Sequence, residues 1–223
     1  MAAAGSAMAG DTLLPANRWQ LPKNYESEIS AAQAYVNAVL HRGHWDSHRG
    51  HHGRHGHRRP VIVDVRSIPE YVAGHPEGAH NIPYPYIYQN CPQSERAEDG
   101  ACTNGGDKID QDPQVFVDAV KKAIPDKSTP IYTLCRTGHR SVLAANLLTE
   151  AGYKHVRNIW QGFSGKPKVS LVGETLYGPL DLNHDGDITE ADNDGWRYYQ
   201  GLPYSTRIRP RLIYWPYASY YFQ

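Results

Sequence analysis

The chain lacks an excess of either charge: 23 Lys and Arg stand against 23 Asp and Glu, so the formal net charge is zero with histidine neutral. That balance offers no electrostatic argument for nucleic acid or an anionic membrane as a partner. No apolar run approaches the ~18 residues of a membrane span, so none is expected. Phenylalanine and methionine are scarce, at three and two, whereas tyrosine numbers sixteen. Many aromatic surfaces therefore carry a polar handle suited to half-exposed packing. The N-terminus ends in a small-x-small pattern at Ala7-Met8-Ala9, but it has neither a basic start nor a long apolar centre. Residues 1–19 read as an N-terminal extension, either the remnant of an export signal or a cloning scar. With 223 residues the chain can bury a core as one domain, or one plus an appendage.

Only three cysteines are present, and one of them organises the chain. Ile131 to Leu134 read as a short buried strand, followed at once by Cys135-Arg136-Thr137-Gly138-His139-Arg140-Ser141. An amphipathic helix follows, with Leu143, Leu147 and Ala151 at i, i+4 and i+8 and Gly152 placed for a left-handed cap. A helix N-terminus and nearby cations lower a cysteine pKa from about 8.5 to roughly 3.5–7.5, which supplies the nucleophilic thiolate. Loop N–H groups can converge on one anionic atom, with Gly138 relieving the turn. A strand-end cysteine can also pack as a small hydrophobe. Two arginines, a glycine and a helix start so close by favour a reactive thiol instead. Helices alternating with short strands point to an α/β fold, and Cys135 lies at a strand's carboxyl end, where open sheets place ligands.

This stretch resembles the active-site loop of the rhodanese (sulfurtransferase) family. The agreement extends to Val61-Ile-Val-Asp-Val-Arg66, to Glu70-Tyr71, to Gly74-His75 through Pro83, and to Gly152 through Phe163. It looks like a single rhodanese domain over roughly residues 20–165. The resemblance implies a rhodanese-like three-layer α/β fold with a mostly parallel central sheet flanked by helices. It also implies Cys135 as the sulfur-carrying nucleophile, with Arg136, Thr137, Gly138, His139 and Arg140 around the substrate. Related phosphatases and arsenate reductases place five residues between cysteine and arginine; here four separate Cys135 from Arg140. The shorter loop suits a cysteine carrying one extra sulfur. The expected activity moves sulfane sulfur from a donor such as thiosulfate to cyanide, a dithiol or a protein thiol, in two half-reactions. The alternative is a sulfur-carrier or metal-binding interaction module in an exported complex.

Elsewhere, Ser30 to Gln33 form a capping box for a helix running to about Leu40. Residues 41–59 hold seven of the twelve histidines among glycine and arginine. They read as a solvated loop, as a site for zinc, copper or nickel, or as a surface for an acidic partner. Asp64 and Arg66 are expected to form buried pairs, and His75 to serve a turn. Residues 84–111 form an insertion that could wall the active-site entrance. Within it Cys91 and Cys102 are expected to form a disulfide, which fits a periplasmic or secreted protein. Asp112-Pro113 start a helix that buries Phe116, Val120 and Ile124.

Residues 166–204 carry a second pattern. Asp181, Asn183, Asp185, Asp187, Thr189 and Asp192 occupy the ligand positions of a calcium loop, with Gly186 at the turn and Ile188 expected to anchor it. The match resembles an EF-hand or dockerin loop, with aspartate in place of the usual closing glutamate. Gly195 to Tyr204 resemble the final helix and exit of exported rhodanese-like proteins, which the loop would clamp. The aromatic tail, 205–223, is expected either as an edge strand or as a partner-binding segment.

Overall fold

A computed structural model describes residues 18–40, 58–172 and 175–223. Most of the His-rich segment (41–57) and of the N-terminal extension (1–17) lies outside the described residues, and so do the metal and export-signal readings attached to them.

In chain order the strands are β1 (Ser27–Ile29), β2 (Val61–Asp64), β3 (His80–Asn81), β4 (Tyr86–Asn90) and β5 (Asp107–Asp110), then β6 (Ile131–Leu134), β7 (Val156–Ile159), β8 (Val169–Val172) and β9 (Thr175–Pro179). The helices are α1 (Ala31–Tyr35), α2 (Ile68–Val72), α3 (Pro113–Ala123) and α4 (His139–Glu150). Five strands form the central sheet in the order β1-β7-β6-β2-β3, and every pairing is parallel. The fold is the expected α/β arrangement of a parallel sheet with helices. Strands β2 and β6 are mainly apolar and all three of β2, β6 and β7 are largely buried, as strands covered on both faces must be. β4 pairs antiparallel with β5, and β8 with β9, as two separate ribbons.

The sheet order explains where the site lies. From β2 the chain continues to β3 on one side, and from β6 to β7 on the other. The adjacent carboxyl ends of β2 and β6 therefore frame a switch-point crevice. Arg66 to Glu70 leave one strand there and Cys135 to Arg140 leave the other. Beneath the crevice Arg66 makes a fully buried pair with Asp64 at 2.6 Å and also donates to the carbonyls of Glu70 and Gly74.

Several local expectations change in physical detail. Helix α4 buries Val142, Ala144, Ala145 and Leu148, leaving Leu143 and Leu147 half-buried. Its small-residue face lets it approach β6 and β7, which it contacts. Ser30 Oγ accepts the Gln33 N–H at 3.1 Å, but the Gln33 side chain turns to Asn37 and does not reach back. The final helix expected at Gly195–Tyr204 is a set of turns: Trp196 and Arg197 donate their N–H groups to the carbonyls of Gly162 and Phe163, outside any helical register. The tail forms 3-10 turns at Pro210–Leu212 and Trp215–Phe222, and neither is a strand. Tyr221 is buried, its hydroxyl donating to Asn81 Oδ1 at 2.5 Å and accepting from Tyr214 N–H at 3.2 Å. His75 is buried and stacked on Tyr71, with Nδ1 2.9 Å from the Tyr71 carbonyl; burial lowers its pKa.

Candidate active site

The Cys135 sulfur accepts two hydrogen bonds, from Gly138 N–H at 3.1 Å and from Ser141 Oγ–H at 3.3 Å. It sits below the N-terminus of α4, whose cap is Gly138. Gly138 has φ +91, and a Cβ there would overlap the Trp160 carbonyl. Only glycine combines that dihedral with that close approach. The loop is held from the other side by a cradle at 162–165. Phe163 N–H donates to the Cys135 carbonyl at 2.8 Å, and Ser164 and Gly165 both donate to the Arg136 carbonyl at 3.0 Å. A Cβ at Gly162 (φ +75) would strike that same carbonyl.

Both loop arginines are already paired with carboxylates. Arg140 donates to Glu70 in a fork, Nη1 to Oε2 at 2.8 Å and Nη2 to Oε1 at 2.6 Å. Glu70 in turn accepts from the N–H and hydroxyl of Ser67. Burial works against the Glu70 charge, but Arg140, Arg66 and Ser67 outweigh it and hold the carboxyl at about 2. The Tyr86 ring lies 5.0 Å from the Arg140 guanidinium, and burial together with Glu70 pushes its hydroxyl up to about 12. Arg136 Nε donates to Asp99 Oδ2 at 2.6 Å, and its Nη2 reaches Glu190 Oε1 at 3.3 Å. Asp99 is fully buried and also accepts from Ser164 Oγ and Ala101 N–H. Of the predicted loop residues only Gly138 touches the Cys135 sulfur, joined there by Ser141, while the guanidinium of Arg140 is committed to Glu70 and that of Arg136 is shared between Asp99 and Glu190. On the remaining side, Trp19 Nε1 donates to the Thr137 carbonyl at 3.1 Å, and the His139 ring meets Trp19 edge-on. A cleft of about 410 Å³ opens beside Arg136 and Thr137, walled opposite by Lys166, Thr189 and Glu190.

A family model described as Rhodanese-like domain matches residues 51–165. The chain belongs to the rhodanese-like domain family. A protein of Arabidopsis thaliana named thiosulfate sulfurtransferase 18 is 33% identical over 101 residues, 45% of this chain and 62% of its own length. An uncharacterised protein of Rickettsia rickettsii is 47% identical over 51 residues, 22% of this chain and 42% of its own length. The match thus spans less than half of the first Rickettsia relatives. A crystal structure from M. tuberculosis shares 24% identity at a TM-score of 0.43, covering 82% of this chain and all of that one.

Sequence reasoning about this rhodanese-like domain gave Trp19, Glu70, Tyr86, Asp99 and Glu190 no role at the site. Ser67-x-x-Glu70 is a capping-box spacing, so a buried carboxylate near the loop had a signal. Asp99 and Tyr86 come from the 84–111 insertion, which does wall the site, but nothing in their neighbours announced it.

Cys91 and Cys102, expected as a disulfide, are both free, buried thiols in this structure. Cys102 donates to Asn104 Oδ1 at 2.8 Å, which turns its sulfur toward the loop amide. Burial and the adjacent Cys91 push the Cys102 thiol up.

The six predicted calcium ligands lie along one turn sequence, with Gly186 at φ +95. The side-chain oxygens of five of them, Asp181, Asn183, Asp185, Thr189 and Asp192, face the loop's own backbone. Asp181 accepts from His184 and Gly186 N–H, Asn183 from Asp185, and Asp185 from Asp187. Buried Asp192 accepts from Leu182, Asn183 and Thr189 N–H, and these amides hold its carboxyl below its usual range. Among the described residues no three His, Cys, Asp or Glu side chains converge as a metal cluster. The fit to calcium is partial, because the closing carboxylate is already saturated. Ile188, expected as an anchor, is 54% exposed.

Proposed function

We propose that this chain is a sulfurtransferase that carries sulfane sulfur as a Cys135 persulfide. The observation supporting it is the pair of donors, Gly138 N–H and Ser141 Oγ–H, aimed at the Cys135 sulfur at the start of α4. Such donors favour negative charge on a sulfur and accommodate it without rearrangement. The Cys135 thiolate attacks the outer sulfur of a donor such as thiosulfate. A Cys135 S–S bond forms as the donor's S–S bond breaks, and sulfite leaves with the electron pair. A thiolate or cyanide acceptor then attacks the outer sulfur and returns the Cys135 thiolate. Cys135 is fully buried, so a donor reaches it only as side chains around the loop move aside.

Intact mass after incubation with thiosulfate, for wild type and Cys135→Ser, tests the reading. Addition of one labile sulfur to the wild type alone is expected. An unmodified wild type with reduced Cys135 would remove thiosulfate as donor. A sulfur carrier, the second reading, is separated by its need for an acceptor protein before turnover accelerates.

Calcium at 181–192 and an exported location belong to the same proposal. The first is supported by the ligand spacing and the turn at Gly186, the second by the closeness of Cys91 and Cys102. Export predicts that oxidation joins those two cysteines, which non-reducing peptide mass mapping of protein from the intact cell would read. Two free thiols in the mature protein would count against it.

A further inference from the structure

Resting on the persulfide reading, we infer that Glu190 determines donor specificity: it occupies the cation that an oxyanion donor needs, and so selects sulfane sulfur carried without a second negative charge. A dianion such as thiosulfate needs an uncommitted cation near the nucleophile. Arg140 is forked onto Glu70, and Arg136 is gripped from below by buried Asp99. The face of Arg136 that remains is met by Glu190 at 3.3 Å. Glu190 is half exposed but anchored, since Tyr198 Oη–H donates to its other oxygen at 2.9 Å and Thr189 caps its short turn. Lys166, on the same cleft wall, lies with its Nζ 3.8 Å from the Trp19 ring centroid. At the cleft Arg136 is therefore met by Glu190 on its open side and by buried Asp99 beneath, while Lys166 stands over the Trp19 ring, and an incoming dianion must displace Glu190 before Arg136 can receive it. An alkyl hydropersulfide carries at most one negative charge, reacts in its protonated form and needs no such displacement. Its outer sulfur bonds to the Cys135 thiolate while its own S–S bond breaks and the alkyl thiolate departs, the hydropersulfide proton remaining on the new persulfide.

The test compares thiosulfate with the hydropersulfide of 2-mercaptoethanol, by steady-state kinetics with wild type, Glu190→Gln and Glu190→Asp. Glutamine keeps an acceptor for Tyr198 and removes the charge. For Glu190→Gln, kcat/KM for thiosulfate should rise roughly three- to tenfold through a lower KM, as expected for removing one carboxylate about 3–4 Å from a guanidinium. The gain should shrink as salt is raised. The hydropersulfide value should change less than about twofold, and Glu190→Asp should restore the wild-type preference. A Glu190→Gln variant with an unchanged donor ratio overturns the inference, as does one that loses activity equally with both donors. If Cys135 gains sulfur by mass from either donor, the persulfide reading survives that failure. If it gains none from both, reading and inference fall together.

Discussion

Two loops of this protein spend their polar groups in opposite directions. In 135–141 the donors converge on one side-chain atom, with the Gly138 amide and the Ser141 hydroxyl both aimed at Cys135. In 181–192 the order is reversed: side-chain oxygens of Asp181, Asn183, Asp185 and Asp192 turn back onto successive amides of their own loop. Convergent donors leave a place for charge to develop, whereas self-satisfied acceptors close a loop without any partner.

The comparison breaks most sharply at the nucleophile. Cys135→Ser should eliminate sulfur loading altogether while leaving the melting temperature near that of the wild type; residual loading at another cysteine would relocate the chemistry. Next in size is Glu70→Gln, which leaves Arg140 in a buried fork without a charged partner and should cost about 3–5 kcal/mol in denaturant unfolding. A cost below 1 kcal/mol would mean that the loop does not depend on the pair.

Acid should reproduce part of that loss. The folded Glu70 carboxyl, at about 2, lies below its unfolded value near 4.3. Its contribution is therefore complete above the unfolded value and is lost as pH falls from about 4.5 toward 2. Unfolding midpoints across that window should drop in the wild type and drop less in Glu70→Gln.

Gly138→Ala, forced against the Trp160 carbonyl at positive φ, should cost about 1–3 kcal/mol and slow loading more than it lowers stability. Equal loading rates would show that the amide need not point at sulfur. The smallest effect belongs to the other loop. Added calcium should raise the melting temperature by no more than roughly 2–4 °C, because Asp192 must first release three amides. A larger calcium-specific shift, absent with magnesium, would show that the loop does open to take a metal.

The Cys135 loop was legible because its signals are local: a strand end, a cysteine, a positive-φ glycine and a helix start lie consecutively. Its neighbours were not. Glu70 reaches Arg140 only because β2 and β6 are adjacent in the sheet, and Asp99 reaches Arg136 from an insertion with no periodic pattern. The calcium spacing was legible as sequence, but spacing does not say whether an oxygen faces a cavity or its own backbone. For residues 195–204, resemblance suggested a helix, and long-range bonds to Gly162 and Phe163 took the backbone elsewhere.

The pairing of β1 with β7 also sets an order in time. Ser27 to Ile29 lie along Arg157 to Ile159, at the edge of the sheet and beyond β6 from β2. As the chain is synthesised, the first strand emerges with no neighbour to receive it and must wait until Val156 to Ile159 have left the ribosome. In that interval its backbone donors and acceptors are open to any other extended chain, and a pairing of such long sequence separation forms slowly once it can. Yield on expression should then depend on how fast the segment after Glu150 is delivered, a property written in the sheet order and nowhere in the active site.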